Sequence, residues 1–134
     1  MLSPGWETVR LFLHVLGAAV WVGGQITLGG LVPRLRGVGP DATSAAARGF
    51  ARLAWPAYLL LVGTGVWNVV AVHAFSKKGG YDVTTQVKIG VVLLAGISAY
   101  AHQRATSRQG LAVWGALSGL SSLAALFLGV LLAQ

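Results

Sequence analysis

The sequence predicts an all-α integral membrane protein, an up-down four-helix bundle with both termini on the outer side. Three observations carry this expectation. Hydrophobic residues make up 55 % of the chain and charged ones only 10 %, against about 25 % charged in an average soluble domain. A hydrocarbon core about 30 Å thick is spanned by roughly 20 helical residues, and four apolar stretches meet that length: about 11–32, 53–75, 83–102 and 111–133. The connections between them are short, which places consecutive helices side by side and antiparallel. Residues 1–134 are therefore expected to form a single four-span transmembrane domain.

Each element follows in order. Residues 1–8 make a short lead in which Pro4 and Trp6 suit the membrane interface. The first span, 11–32, is longer than the apolar region of a signal peptide, and Arg34 and Arg36 precede any cleavable small-residue site. Pro33 is expected to close it, because proline disfavours helical geometry in the residue before it. The segment RLRGVGPDATSAAARGF then connects to span two and leaves room for a short amphipathic helix capped by Asp41 or Thr43. Pro56 falls in the first turn of span two, where proline is tolerated. SKKGGYD makes the next turn, span three carries Lys88, and QRATSRQG makes the last turn. Span four has no proline, and its Gly115 and Gly119 form a small-xxx-small pair suited to close helix contact.

The charge pattern sets the orientation. The formal net charge is +7, but its placement fits topology better than nucleic-acid binding. Arg34, Arg36, Arg48 and Arg52 lie between spans one and two, and Arg104 and Arg108 between spans three and four. The opposite side holds Arg10, Lys77 and Lys78, offset by Glu7 and Asp82. The positive-inside rule makes connections 33–52 and 103–110 cytoplasmic. The expected setting is a bacterial-type plasma membrane crossed several times. No basic aromatic platform is present for a nucleic acid. With no cysteine, and Met1 the only methionine, thiolate and intramembrane thioether ligands are excluded.

Polar residues inside the spans are the candidate site. On span one, His14, Ala18, Trp21, Gln25 and Leu28 share a stripe at helical spacing. Thr64 and Asn68 form such a pair on span two, and Lys88, Val91, Ala95, Ser98 and His102 line up on span three. The hydroxyls of Thr64, Ser98, Ser118, Ser121 and Ser122 are expected to bond backbone or neighbouring helices. His73 and His102 lie at helix ends, where water reaches them, and Lys88 has a stem long enough to snorkel. His14 lies about one turn inside the membrane, and an ionisable residue at such a depth points to function. His14 is thus the first candidate metal ligand, with His73 and His102 behind it. His14, Trp21 and Lys88 are the candidate cofactor-binding set.

LHVLGAAVWVGG, followed by LVPRL, resembles the first helix of the copper-resistance D (CopD-like) membrane domain, and the same histidine, tryptophan and glycine spacing resembles HemJ-type protoporphyrinogen oxidases. RLAWPAYLLLVGTGVWNV resembles their second helix, and YDVTTQVKIGVVLLAGISAYAHQR the lysine-bearing third. The resemblance covers about 9–104. It implies haem b with His14 as axial ligand and a role in activity for Lys88, or alternatively copper handling. The chain departs from the HemJ pattern in a longer first helix between Gly24 and Pro33, in the position of His102, and in lacking the polar signature of the fourth helix.

Three readings stand at this stage. One is haem b or a related tetrapyrrole bound in the bundle, redox-active and, if enzymatic, a HemJ-like haem-dependent oxidoreductase. The second is CopD-like copper transport or homeostasis. The third is a non-catalytic subunit of a larger membrane complex or of a homo-oligomer. In all three the lipid bilayer is the first partner.

Overall fold

The computed structural model describes residues 3–134. Four helices dominate, α1 (Trp6–Val38), α2 (Ala42–Ala71), α3 (Tyr81–Arg104) and α4 (Arg108–Leu131), each long and apolar enough to cross a membrane. No strand occurs among the described residues. Burial is inverted relative to a water-soluble protein. Most buried positions are small or polar, among them Gly17, Ala54, Ala57, Thr64, Ala95 and Ser98. Large apolar side chains such as Phe12, Leu59, Ile97 and Phe127 are exposed. Lipid removes the hydrophobic penalty for exposing such residues, and close helix approach then selects small ones. This is a multi-pass membrane protein.

Two helix boundaries differ from expectation, for identifiable reasons. α1 runs for 33 residues, about 50 Å at helical rise, and passes through Pro33 instead of closing there. A proline ring crowds the carbonyl four residues back. Here that turn is Gly29–Gly30, which has no side chains to add to the crowding. The stop comes instead from Pro40, which drives Gly39 out of helical geometry into an extended conformation with φ 167° and ψ 164°. α2 likewise starts earlier than 53, absorbing the expected amphipathic helix through an alanine-rich segment of high helix propensity. Pro56 therefore lies in the helix interior and not in its first turn. Asp41 stands just ahead of α2, its carbonyl accepting the Ala45 N–H at 2.9 Å. Thr43, the other cap candidate, makes no side-chain hydrogen bond. The 33–52 connection thereby shrinks to residues 39–41.

The chain forms two compact units, Met1–Gly65 and Val66–Gln134, whose boundary falls inside α2. In the first unit, α1 and the body of α2 run antiparallel. Gly24 lies against Phe50, Trp21 against Trp55 and Tyr58, Gly17 against Ala57 and Leu61, and His14 against Thr64. Residue numbers fall on one helix as they rise on the other, as in a helical hairpin. Gly17 is the tightest backbone approach. A Cβ there would lie 3.0 Å from the Ala57 carbonyl oxygen and 3.1 Å from the Leu61 nitrogen.

Residues Ala19–Gly23 of α1 form a π-helical turn, a feature that often marks functional positions in helices. Trp21 and Val22 are both buried there. The Thr27 hydroxyl donates to the Gly23 carbonyl at 2.8 Å, tying down the end of the turn.

In the second unit, α2 gives way to a turn at His73, which adopts left-handed geometry with φ 50°. That conformation is uncommon outside glycine, though histidine is among the residues that tolerate it. A short 3₁₀ turn, Ala74–Ser76, and the positive-φ glycines Gly79 and Gly80 complete the link to α3. α3 and α4 again run antiparallel, with Lys88 against Gly129, Ala95 against Ser118, and His102 against Leu111 and Gly115. Ser107 caps α4 by accepting the Gly110 N–H at 3.0 Å.

The helix hydroxyls behave as expected. Thr64, Ser98 and Ser121 donate to carbonyls four residues back. Ser118 donates across the hairpin to Ala95 at 3.3 Å. Gly115 and Gly119 do not form a shared contact face. Gly115 makes room for the His102 ring, whereas a Cβ at Gly119 would meet nothing.

Candidate intramembrane site on the first helix

Helical spacing divides α1 into two faces. Leu11, Phe12 and Val15 are exposed on one. Arg10, His14, Gly17 and Trp21, spaced four, three and four residues apart, form the other, and all but the half-buried His14 are fully buried. Part of this stripe is visible in the sequence, where His14 and Trp21 fall at helical spacing. Arg10 extends it by one turn.

The chemistry centres on His14. Its Nδ1 lies 2.9 Å from the Thr64 hydroxyl oxygen. That hydroxyl has a single proton, which it directs to the α2 carbonyls, at 2.7 Å to Leu60 and 3.2 Å to Leu61. With that proton on the α2 carbonyls the Thr64 oxygen accepts toward His14, and the imidazole donates through Nδ1–H. In the neutral ring this makes Nε2 the lone-pair nitrogen, the state suited to metal ligation or proton acceptance. Thr64 is buried at 5 % exposure, which holds the pair in register. Gly65 leaves the ring space, since a Cβ there would sit 3.4 Å from the imidazole Cε1.

Trp21 is the most buried aromatic residue of α1, at 3 % exposure. Its ring lies 4.6 Å from that of Tyr58 and 5.6 Å from that of Trp55, centroid to centroid. The two α2 rings meet edge-on at 5.8 Å. Separations of this size suit tilted aromatic pairing, and the cluster fixes the π turn against α2. Two small residues beside the site are spent on packing: Gly17 on the α2 backbone and Gly24 on the Phe50 ring.

The other candidates lie in the second unit. Lys88 reaches across to α4, where a Cβ at Gly129 would come within 2.9 Å of its ammonium nitrogen. His102 donates from Nδ1 to the Leu111 carbonyl at 2.8 Å, latching the α3–α4 turn. Lys88 and His102 lie about 21 Å apart along α3. His73 is exposed in its left-handed turn. Among the described residues, no group of three or more His, Cys, Asp or Glu side chains converges as a metal site.

Two residues of the site lie beyond the sequence reading. Thr64 is anticipated there as a backbone-bonding hydroxyl, and it is also the acceptor that sets the His14 tautomer. Arg10 is counted among the surface charges, yet it is only 7 % exposed. The signal that would have found it is its position four residues before His14, on the same helix face.

Replacing Thr64 by valine keeps the shape and removes the acceptor. The expected result is a detergent-solubilised protein less stable by about 1–3 kcal/mol, the cost of an unmet buried donor, in thermal melts followed by circular dichroism. Thr64→Ser should restore most of that loss. Compared with known families, curated proteins and solved structures, the chain matches none of them.

Proposed function

We propose that this membrane protein binds haem b or a related tetrapyrrole, with His14 Nε2 as the axial ligand. The observation that carries the proposal is the hydrogen bond from His14 Nδ1 to Thr64 at 2.9 Å. Histidine ligands usually donate their second ring N–H to a neighbouring group, which sets the tautomer and the ring orientation. A tetrapyrrole supplies four nitrogens itself and needs a single protein nitrogen, as His14 offers. A copper site built from protein side chains needs several converging ligands, and the described residues assemble no such group. The single oriented imidazole is what supports the tetrapyrrole reading.

The donor chemistry fits the group, whereas the expected seat around Trp21 does not. Trp21 packs on Tyr58 and Trp55, and Gly17 and Gly24 are filled by α2. In this proposal Trp21 supports the site by anchoring the π turn, and His14 is the contact residue. When bound, the group would supply redox chemistry at its iron. The protein's part is to hold the imidazole and shield it with apolar helix.

The orientation belongs to the same proposal. The arginine-bearing helix ends around residues 39–41 and 105–107 lie on the cytoplasmic side of a bacterial-type plasma membrane, and the termini lie outside.

The test is an absorbance titration of the purified protein with hemin in mild detergent. A saturable Soret band at one equivalent is the expected result. A featureless titration, with hemin partitioning only into micelles, would sink the proposal.

A further inference from the structure

Arg10 is the one charged side chain on the buried stripe of α1 that also carries His14, and haem ligation by His14 does not use it. It lies one turn before His14, about 6 Å inside the N-terminal end of the helix. An arginine so near a membrane surface would ordinarily snorkel outward, but this one is buried at 7 % exposure. Its Nε makes no hydrogen bond. Its ion pair is with Glu7, which is 77 % exposed, at 3.8 Å. That is too long for a hydrogen bond, and an exposed partner of this kind contributes little. A guanidinium has five donors in a planar fork that matches carboxylate or phosphate oxygens. A buried Nε–H left without a hydrogen-bond partner is unfavourable.

We infer that Arg10 anchors an oxyanion-binding site at the N-terminal end of α1, taking the carboxylate or phosphate group of an amphipathic, membrane-soluble ligand. The ligand's apolar body lies along the spans, and its anionic head is held by the guanidinium fork. Two sources present that chemistry: the carboxylate of a tetrapyrrole bound at His14, and the phosphate of a net-anionic lipid headgroup, uncompensated by a choline cation.

The experiment has one arm for each source. In the first, hemin is compared with hemin dimethyl ester, which lacks free carboxylates, by absorbance titration. In the second, melting of the protein is compared in nanodiscs of phosphatidylcholine with and without phosphatidylglycerol. The wild-type chain is expected to prefer the anionic partner in one arm, by at least about tenfold in affinity or by several degrees in melting temperature. The arm that responds identifies the source. Arg10→Gln should erase that preference, and Arg10→Lys should keep part of it, retaining charge without the fork.

Lack of discrimination by the wild-type chain in both arms would overturn the inference, as would a preference that survives in Arg10→Gln. Should Arg10→Gln fail to fold, the wild-type comparisons and Arg10→Lys still decide. If hemin does not bind at all, the haem proposal fails and the lipid arm alone decides the role of Arg10.

Discussion

His14→Ala is expected to abolish the hemin-dependent Soret band while leaving the helical circular dichroism unchanged. In the proposed site the imidazole is the nitrogen that meets the iron, so its removal takes away the axial bond and does not merely weaken it. The fold should survive, because the α1–α2 contacts at Gly17, Trp21 and Gly24 do not involve His14. The truncation also strips the Thr64 oxygen of its donor, but that oxygen keeps its bonds to the Leu60 and Leu61 carbonyls. Free imidazole added to the variant should restore part of the band by occupying the vacated ligand position. An unchanged band in His14→Ala would show that the pigment is held elsewhere, and the assignment of His14 would fall.

The second large effect concerns the seam beneath that site. Gly17→Leu should lower the stability of the detergent-solubilised protein by about 3 kcal/mol, the upper end for overpacking a filled contact, in thermal or denaturant unfolding. The loss is net of the helix propensity that leucine gains over glycine. The neighbours of Gly17 are backbone atoms of α2, at 3.0 Å for the Ala57 oxygen and 3.1 Å for the Leu61 nitrogen. Backbone cannot rotate aside as a side chain can, so the two helices must separate. Separation at Gly17 should also stretch the His14–Thr64 hydrogen bond one turn away, and hemin affinity should fall with stability. Gly119→Leu is the control. Its Cβ meets nothing, so its stability should not fall and should rise by up to about 1 kcal/mol from helix propensity. Equal effects of the two leucines would mean that the α1–α2 seam is not the close contact described.

The four spans are legible in the sequence because hydropathy over some 20 residues is a strong physical signal. Helix ends are less so. Pro33 and Pro56 look like boundaries, yet both lie inside helices, because what stops a helix is the whole local segment and Gly39–Pro40 supplies a stronger stop than Pro33. The stripe of Lys88, Ala95, Ser98 and His102 is readable from spacing, and it faces α4 as such a stripe should.

Within the candidate site, His14 stands out as an imidazole in an apolar run. Its partner Thr64 does not, since the pairing joins positions fifty residues apart and no local pattern encodes it. Arg10 is hidden for another reason. In a membrane protein a basic residue near a span end is ordinarily a topology signal, and only the tertiary fold shows that this one turns inward. The packing roles of Gly17 and Gly24 are equally opaque in sequence. Small residues invite both ligand and helix, and α2 is what fills the space.

The π turn of α1 can also be viewed as a matter of phase. A helix advances about 100° per residue, so a turn that takes in one residue more than an α-helical turn resets the angular position of everything beyond it. Arg10 and His14 lie before the reset and Gly24 after it, and all the α2 contacts of α1 lie on a single seam. With one residue fewer in Ala19–Gly23, Gly24 would swing away from Phe50 while His14 kept its place. The turn thus acts as a timing joint that brings the polar half and the packing half of one long helix to bear on the same neighbour.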